Sequence, residues 1–316
     1  MTDTRFALLR SKTDRTWLVA LAAAMWGLDG LLRGPLATTI NPATVVLWEH
    51  VIVVLCLIPF LPSAARAFGA CGMRDRFAIA GIGIGASALG TALFTEAFKI
   101  SGQTGDFVTP LVLQKLQPLI AVALAVVLLK EKLRPKFAMY AIPALVGAWL
   151  LAFPNPFDIQ IAALRSAMFA VGAAVCWAGG TVLGRLVSPA VTPRDLTTLR
   201  YMFGLPAAFV IVLLVGAPML PGWSSVPRLV MLAIIPGLLA LALYYVGLRY
   251  TAASRATFAE MAFPATAAVV GVVFLGTTLG WSQWAGFAIV LAAIVALGWG
   301  EQRKPSVEDP LLAQVH

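Results

Sequence analysis

The sequence predicts an all-α polytopic membrane protein in which ten transmembrane helices form two inverted five-helix repeats. Three observations favour this fold: an apolar composition, ten membrane-length apolar segments and an internal sequence repeat. Of the 316 residues, 60% are hydrophobic and 12% are charged, whereas an ordinary soluble domain has about 25% charged residues. The mean hydropathy is +0.89. The apolar runs are long and lack the period-two alternation of a membrane β-barrel, so helices are predicted.

Each apolar segment approaches the roughly 20 residues that a helix needs to cross a bilayer. The spans, numbered 1 to 10 in chain order, are predicted at 16–33, 43–62, 77–98, 106–129, 137–153, 163–184, 195–216, 227–248, 253–276 and 283–300. No connection is long enough to form a soluble domain. Span 1 follows a basic segment and resembles a cleaved signal peptide. The repeat requires it as a first helix, so it is predicted to be retained.

The distribution of Lys and Arg predicts the orientation in the membrane. With a cytoplasmic N-terminus, 17 of these residues fall in cytoplasmic segments, and 4, including Arg33, fall in external ones. Both termini are therefore predicted to be cytoplasmic, with the chain in the inner (plasma) membrane. The net charge of +9 follows from this topology and from contact with anionic headgroups of the lipid bilayer. No nucleic-acid partner is needed to explain it.

The second half of the chain repeats the first. Residues 107–133 resemble residues 253–279, with Pro118 aligned on Pro264 at an offset of 146. Three further blocks keep the same order at offsets up to 151: Trp26-Gly27 with Trp177-Ala178, Asn41-Pro42 with Thr192-Pro193, and 92–101 with 242–251. The predicted organisation is a cytoplasmic tail at 1–15, repeats at 16–155 and 156–300, and a second cytoplasmic tail at 301–316.

Five spans per repeat is an odd number, so the two repeats must cross the membrane in opposite directions. Inverted repeats with a proline in corresponding helices are typical of secondary transporters, whose binding site lies near the midplane between the repeats. Pro118 and Pro264 are predicted to kink spans 4 and 9, because proline removes a hydrogen bond from the helix interior.

Residues 16–300 resemble the drug/metabolite transporter superfamily, and within it the EamA-type ten-helix group. The resemblance is carried by an Ala-Leu-aromatic block that ends in a basic residue and Ser or Thr, and by a helix that ends in Leu-Lys-Glu-Lys-Leu. The residues are Lys99 and Ser101, Arg249 and Thr251, and Leu129–Leu133. The resemblance implies a bundle in which spans 1, 3, 4, 6, 8 and 9 largely line the path, with alternating access, and it favours export.

Ionisable side chains within spans are costly in lipid, so each is expected to face a cavity or a partner. Lys115 and Glu260 lie about one turn before the two prolines and are the leading candidates to bind substrate or a coupling proton. The structural alternative is a direct ion pair between them. Gln114 and Gln117 flank Lys115 and extend the same polar strip.

Four further ionisable residues lie within or at the ends of spans. Glu49 and His50 are adjacent in span 2, and a histidine beside a carboxylate suggests proton coupling. The alternative is an ion pair between Glu49 and Arg200, which occupy equivalent repeat positions. Asp29, which lies between Gly27 and Gly30 in the sequence, is expected at the outer interface, or else in the cavity.

Aromatic side chains in the same spans are candidates for the cavity walls. Trp26, Trp177, Tyr244 and Tyr245 could hold a cation or a flat solute, and helix packing is the alternative.

These observations predict a secondary active transporter of a small metabolite. An amino-acid-like substrate is favoured because both charge signs occur at membrane depth, with Lys115 for a carboxylate and Glu260 for an amine or a proton. The alternatives are an intramembrane lipid-modifying enzyme and a non-transporting sensor or scaffold. Phosphate-binding and hydrolase motifs are absent from the sequence, and no cofactor or metal site is predicted. Substrate identity, direction, coupling ion and the choice between monomer and homodimer stay open.

Overall fold

The structure is a computed structural model that describes residues 15–106, 109–117, 155–157, 161–187, 190–250 and 262–302, with scattered residues between 119 and 150. Every regular element within these ranges is helical. Spans 4, 5 and 9 are described in part, and span 5 only as isolated residues.

The first half contains three complete spans and the start of a fourth. Span 1 is Thr16–Gly27 and Asp29–Thr39; span 2 is Pro42–Leu57, Ile58–Phe60 and Leu61–Ala70; span 3 is Met73–Gly81, Ile82–Leu89 and Gly90–Gly102; span 4 begins with Thr109–Leu113 and Gln114–Leu116. Asn41 starts span 2 as an N-cap, since its side chain accepts a hydrogen bond from the Ala43 amide at 2.9 Å. Pro42 follows at the first helical position, where no amide hydrogen is needed.

The second half follows the same order. Span 6 is Ile161–Val187; span 7 is Pro193–Val215; span 8 is Trp223–Ser225, Val226–Leu232, Ala233–Leu239 and Ala240–Tyr250; span 9 includes Ala262–Val269 and Val270–Phe274; span 10 is Trp281–Gln302. Thr192 and Pro193 start span 7 as Asn41 and Pro42 start span 2, with the Thr192 hydroxyl accepting from the Asp195 amide at 3.2 Å. The predicted equivalence of these two helix starts is therefore confirmed.

Five of the described helices are long and apolar enough to cross a membrane. They are Pro42–Ala70, Met73–Gly102, Ala163–Gly184, Pro193–Val215 and Trp223–Tyr244. Large apolar side chains point outward from them, such as Phe77 at 71% exposure and Leu214 at 81%. Contiguous apolar surface of this kind is a liability in water, whereas lipid accepts it because the backbone groups are already paired within the helices.

Spans 3 and 6 pack against each other in opposite directions. The contacts along their interface are Gly81–Leu183, Ala86–Gly180, Gly90–Trp177, Leu93–Gly172 and Ala97–Ser166. Residue numbers rise along one helix as they fall along the other, which defines an antiparallel pair. Glycines and alanines at these contacts let the two backbones approach closely, as is common between helices in membranes.

Spans 2 and 7, which are equivalent in the repeat, also pack antiparallel. At one end the Thr44 hydroxyl donates to the Pro218 carbonyl, and at the other the Arg194 guanidinium donates to Ser63 at 3.3 Å. Other contacts occur in exchanged pairs: span 1 packs on spans 8 and 9, while span 6 packs on spans 3 and 4. The first helix of each half therefore packs on the third and fourth helices of the other half.

Two π-helical segments occupy equivalent places in spans 3 and 8. Ile82–Leu89 and Ala233–Leu239 start 151 residues apart, which matches the offset of the sequence repeat. A π-helical turn carries one extra residue and often marks a functional site. A third π-helical segment, Val270–Phe274, lies in span 9.

Several predicted span boundaries are too short. Span 1 reaches Thr39 instead of residue 33, and spans 2 and 3 extend to Ala70 and Gly102. The basic residues that were taken to mark the ends of the apolar runs lie inside the helices. Arg33, Arg66 and Lys99 are examples.

Candidate functional site

A cavity of about 230 Å³ lies between the two halves of the molecule. At about 30 Å³ per water, it has room for about eight waters or a solute of similar size. The lining comes from spans 1, 2, 3, 4, 6, 7, 8 and 9. The resemblance implied that spans 1, 3, 4, 6, 8 and 9 line the path, and spans 2 and 7 must be added, because Glu49 and Arg200 reach the cavity from them.

Residues that are equivalent in the sequence repeat line this cavity from both halves. The lining pairs, at offsets of 150 or 151, are Trp26 with Trp177, Asp29 with Gly180, Arg33 with Gly184, Glu49 with Arg200, Ala86 with Gly237, and Phe94 with Tyr244. The two halves therefore contribute equivalent positions to the lining, but they place different side chains and different charges there.

Arg33 holds two buried carboxylates on the side of the first repeat. Its Nε and Nη2 donate to the two oxygens of Asp29 at 2.7 and 2.9 Å, and Nη2 also reaches Glu49 at 3.0 and 3.2 Å. Nη1 donates to the Thr95 hydroxyl at 2.9 Å. Arg33, Asp29 and Glu49 are 3%, 8% and 5% exposed. We call these three residues the triad.

The triad combines two carboxylates with a single guanidinium, so with both carboxylates ionised it carries an excess of one negative charge. A buried ion pair is tolerated only where hydrogen bonds offset the loss of hydration. The fork of Arg33 provides them, since planar guanidinium binds carboxylate through two parallel bonds. The Thr95 hydroxyl that accepts from Arg33 is itself held in place, because it donates to the Thr91 carbonyl at 2.7 Å.

Arg200 faces the same cavity from the second repeat but has no carboxylate partner among the described residues. Its Nη2 donates to the Ala86 carbonyl at 3.3 Å. Its Nε is buried without a hydrogen-bond partner. An unpaired buried donor is costly unless a ligand or water completes it.

The aromatic walls repeat as well. Trp26 packs on Tyr244 with ring centroids 5.0 Å apart, and Trp177 packs on Phe94 at 5.1 Å. Both pairs join a tryptophan of the first helix of one repeat to an aromatic residue of the third helix of the other. Offset and edge arrangements at this distance are the favourable geometry for aromatic rings.

His50 lies outside the cavity lining. Its Nδ1 is 2.8 Å from the Val46 carbonyl and its Nε2 is 2.9 Å from the Ser87 hydroxyl. A carbonyl only accepts, so Nδ1 carries the proton, and in the neutral ring Ser87 donates to Nε2. His50 is 1% exposed and packs beside Tyr201. Both ring nitrogens are thus occupied within the protein.

The structure brings most of the predicted site residues to one place. Those that line the cavity are Trp26, Asp29, Glu49, Gln114, Gln117, Trp177, Arg200 and Tyr244. Glu260 and Pro118, and the side chains of Lys115, Tyr245 and Pro264, lie outside the described residues, so their roles stay predictions.

Two expectations are wrong. Glu49 pairs with Arg33 and not with Arg200, because Arg33 reaches it from span 1 of the same half. Asp29 is buried in an ion pair instead of lying at the outer interface. Arg33, which the charge count placed in an external segment, is the charged residue of the described lining that sequence reasoning missed, and the uncharged Thr91, Phe94 and Tyr201 were missed as well. The spacing of four residues between Arg33 and Asp29, one helical turn, was the available signal for Arg33.

The fold and the cavity define a polytopic membrane protein with a solute-sized chamber between two related halves. The profile of the EamA-like transporter family matches the chain twice, over residues 16–153 and 164–299. The chain belongs to the EamA-like transporter family, which confirms the predicted resemblance to the drug/metabolite transporter superfamily. It is accordingly a multi-pass membrane transporter, and the alternative of an intramembrane enzyme is wrong.

Several relatives are transporters. The riboflavin transporter ImpX of Fusobacterium nucleatum is 30% identical over 291 residues, which cover 89% of this chain and 96% of the relative. The threonine/homoserine exporter RhtA of Salmonella typhimurium is 29% identical over 191 residues, which cover 59% of this chain and 62% of the relative. One crystal structure aligns with a TM-score of 0.62 over 93% of this chain and 100% of its own, at 18% identity, which supports the fold alone.

Proposed function

We propose that the protein is a secondary active transporter that moves a small metabolite by alternating access between two inverted five-helix repeats. The observation that carries this proposal is the cavity between the halves, lined by repeat-equivalent residues. A site at such a place is exposed to one side or the other when the two repeats exchange conformations. The antiparallel packing of spans 2 and 7, and of spans 3 and 6, supports the inversion.

An amino-acid-like substrate fits this site best. The cavity holds about eight waters, a volume suited to a metabolite with a comparable number of heavy atoms. Its described lining carries two carboxylates and two guanidiniums, so charge of both signs is available to a solute that is neutral overall. The similarity to a threonine/homoserine exporter agrees with such a substrate and with transport out of the cell.

The test is counterflow in liposomes. Purified protein would be reconstituted with unlabelled L-threonine inside, and uptake of radiolabelled L-threonine would be followed against empty liposomes. We expect uptake that exceeds the control and is abolished when the cavity is filled by substitution. An absence of counterflow for L-threonine and for riboflavin alike would contradict the proposed transport function at this site.

The aromatic walls support a flat heteroaromatic solute as a second candidate. The pairs Trp26–Tyr244 and Phe94–Trp177 present rings on both sides of the cavity, and aromatic-lined pockets with a few polar groups bind such ligands. The relative that is similar over nearly its whole length is a riboflavin transporter. Parallel counterflow with riboflavin separates the two candidates.

The orientation is part of the same proposal. We infer that both termini face the cytoplasm of a bacterial-type inner membrane, because Lys and Arg are concentrated in the segments assigned to that side. A green fluorescent protein fused after His316 should fluoresce, and an alkaline phosphatase fused there should be inactive. Active phosphatase at that end would reverse the orientation without changing the repeat arrangement.

A further inference from the structure

We propose that the cavity binds a zwitterion in one fixed orientation, with its anionic group on Arg200 and its cationic group on Glu49. This inference rests on the proposed transport function and sharpens it. It assigns different roles to the two arginines of the cavity: Arg200 contacts the solute, and Arg33 is a positioning residue that acts through Glu49.

The donors of the two guanidiniums are used differently. Arg33 donates to Asp29, Glu49 and Thr95, so each of its three nitrogens has an acceptor. Arg200 makes a single bond of 3.3 Å, to the Ala86 carbonyl, and its Nε has no partner. Nη1 of Arg200 has no partner among the described residues, and the side chain lines the cavity, so the guanidinium can donate a charge-assisted hydrogen bond to a carboxylate there.

The negative pole lies at Glu49. Asp29 occupies the Nε and Nη2 edge of Arg33. Among the described residues, both oxygens of Glu49 accept only from Nη2. A carboxylate has about four acceptor sites, so Glu49 keeps capacity for an ammonium group. The excess negative charge of the triad favours a cation here.

Gly237 leaves the approach to Glu49 open. A Cβ placed at Gly237 would lie 3.7 Å from Glu49 Oε1 and 3.7 Å from the Tyr201 hydroxyl oxygen. Gly237 also lines the cavity. The absence of a side chain at this position gives a small ligand access to the carboxylate.

The repeat explains why Arg200 is unpaired. Glu49 and Arg200 are equivalent residues, so they lie on opposite sides of the axis. At the positions equivalent to Asp29 and Arg33, the second repeat has Gly180 and Gly184, and a Cβ at Gly184 would meet nothing within 4 Å. The second repeat thus has no acidic group at either of these positions, and the cavity has a positive pole facing a negative one.

The experiment uses analogues that remove one charge at a time. Competition with radiolabelled L-threonine counterflow would be measured for L-threonine, for its methyl ester, which lacks the carboxylate, and for N-acetyl-L-threonine, which lacks the ammonium. Both analogues should compete roughly 10- to 100-fold more weakly, the effect of losing a hydrogen-bonded charge. Thermal unfolding in detergent would establish that the protein and the substituted forms compared with it are folded.

Matched variants assign each charge to its residue. Arg200→Gln should weaken competition by L-threonine roughly 10- to 100-fold, yet change competition by the methyl ester less than about twofold. Glu49→Gln should weaken L-threonine and the ester, and leave the N-acetyl compound unchanged. Lys99→Gln, in a partly exposed ion pair with Glu96, is the control and should change none of them.

The outcomes separate this inference from the transport function. If L-threonine counterflow persists in Arg200→Gln with unchanged competition, the assignment of Arg200 is wrong and the transporter remains. If riboflavin is exchanged and L-threonine is not, the zwitterion assignment is overturned while transport through the cavity stands. If the wild-type protein exchanges neither, the proposed transport function at this site fails.

Discussion

Arg33 lies one helical turn after Asp29 and binds both of its carboxylate oxygens, at 2.7 and 2.9 Å, within span 1. The same guanidinium reaches Glu49 of span 2. One side chain therefore links two helices of the first repeat at the wall of the cavity. The contact with Asp29 lies within one helix, whereas the contact with Glu49 joins two helices.

Loss of the Arg33 guanidinium should destabilise the protein strongly. Arg33→Gln leaves two buried carboxylates without a cation, and breaking a buried ion pair in this way costs about 3–5 kcal/mol. Arg33→Lys should fall between Arg33→Gln and the wild type, because it keeps the charge and loses the fork. Thermal unfolding in detergent measures the effect.

Lys99→Gln is the matched control for Arg33. Lys99 pairs with Glu96 at 3.4 Å with both side chains partly exposed, and exposed pairs contribute about 0–1 kcal/mol. Equal midpoints for Arg33→Gln and Lys99→Gln would contradict a structural role for the triad.

The sequence predicted much of the site on two grounds. Arg200 was selected because ionisable residues are rare within apolar spans, and Trp26 and Trp177 were selected because their spans resemble cavity walls. All three line the cavity. Arg33 was missed for a different reason. A cation was taken to mark the end of span 1, although the helix continues to Thr39.

Pairing and local helix geometry were beyond the sequence. The repeat indicated that Glu49 and Arg200 are equivalent, but equivalence across an axis sets positions and not partners, and Arg33 is the partner of Glu49. The π-helical turn at Ile82–Leu89 depends on a shift of backbone hydrogen bonds by one residue, which no side-chain pattern encodes. Once the π-helical turn in span 3 is known, the sequence repeat indicates an equivalent turn at Ala233–Leu239 in span 8.

A larger residue at position 184 should block transport without unfolding the protein. Gly184 lines the cavity, and a Cβ there would meet no atom within 4 Å. Gly184→Leu fills part of a space that holds about eight waters. Transport should fall roughly tenfold or more, since one misplaced methylene in a pocket already changes specificity by that factor.

Gly179 provides the matched control on the same helix. Its Cβ position is equally open, and the residue is not part of the cavity lining. Gly179→Leu should therefore retain counterflow and the wild-type unfolding midpoint. If both variants transport at the wild-type rate, the cavity is not the path.

The hydrogen bond between His50 and Ser87 should matter for stability and not for coupling. Ser87→Ala leaves His50 Nε2 buried without a partner, which costs about 1–3 kcal/mol. The pH profile of transport should stay that of the wild type, because His50 does not line the cavity. Ser63→Ala, at a partly exposed hydroxyl, is the control. A shifted pH profile in Ser87→Ala would restore His50 as a proton-coupling candidate.

Close packing of spans 3 and 6 predicts a compensating pair of substitutions. A Cβ at Gly180 would overlap with the Cβ of Ala86, so Gly180→Ala must push the helices apart at about 1–3 kcal/mol. Adding Ala86→Gly removes the opposing atom and should restore most of the unfolding midpoint. Gly179→Ala, with open space around it, should keep or slightly raise the midpoint, because alanine favours the helix over glycine. A double variant no more stable than Gly180→Ala alone would place the two residues out of contact.

The antiparallel direction of spans 3 and 6 can be tested by cross-linking. In a protein without Cys56, Cys71 and Cys176, the pairs Gly81→Cys with Leu183→Cys and Leu93→Cys with Gly172→Cys should join through a short thiol-reactive linker. A Cβ at each glycine would lie within 3.4 Å of its partner leucine. The mismatched pair Gly81→Cys with Gly172→Cys should not react, because twelve helical residues separate Gly81 from Leu93 by roughly 18 Å.

The mismatched pair is decisive for the relationship between the repeats. Span 6 is the first helix of the second repeat, and span 1 is its equivalent in the first. If the chain crosses the membrane once at each span, spans 1 and 3 run in the same direction. Two repeats with the same direction would make spans 3 and 6 parallel and would join Gly81→Cys to Gly172→Cys. Reaction of the matched pairs alone requires that the second repeat runs opposite to the first, and alternating access around the shared cavity depends on that inversion.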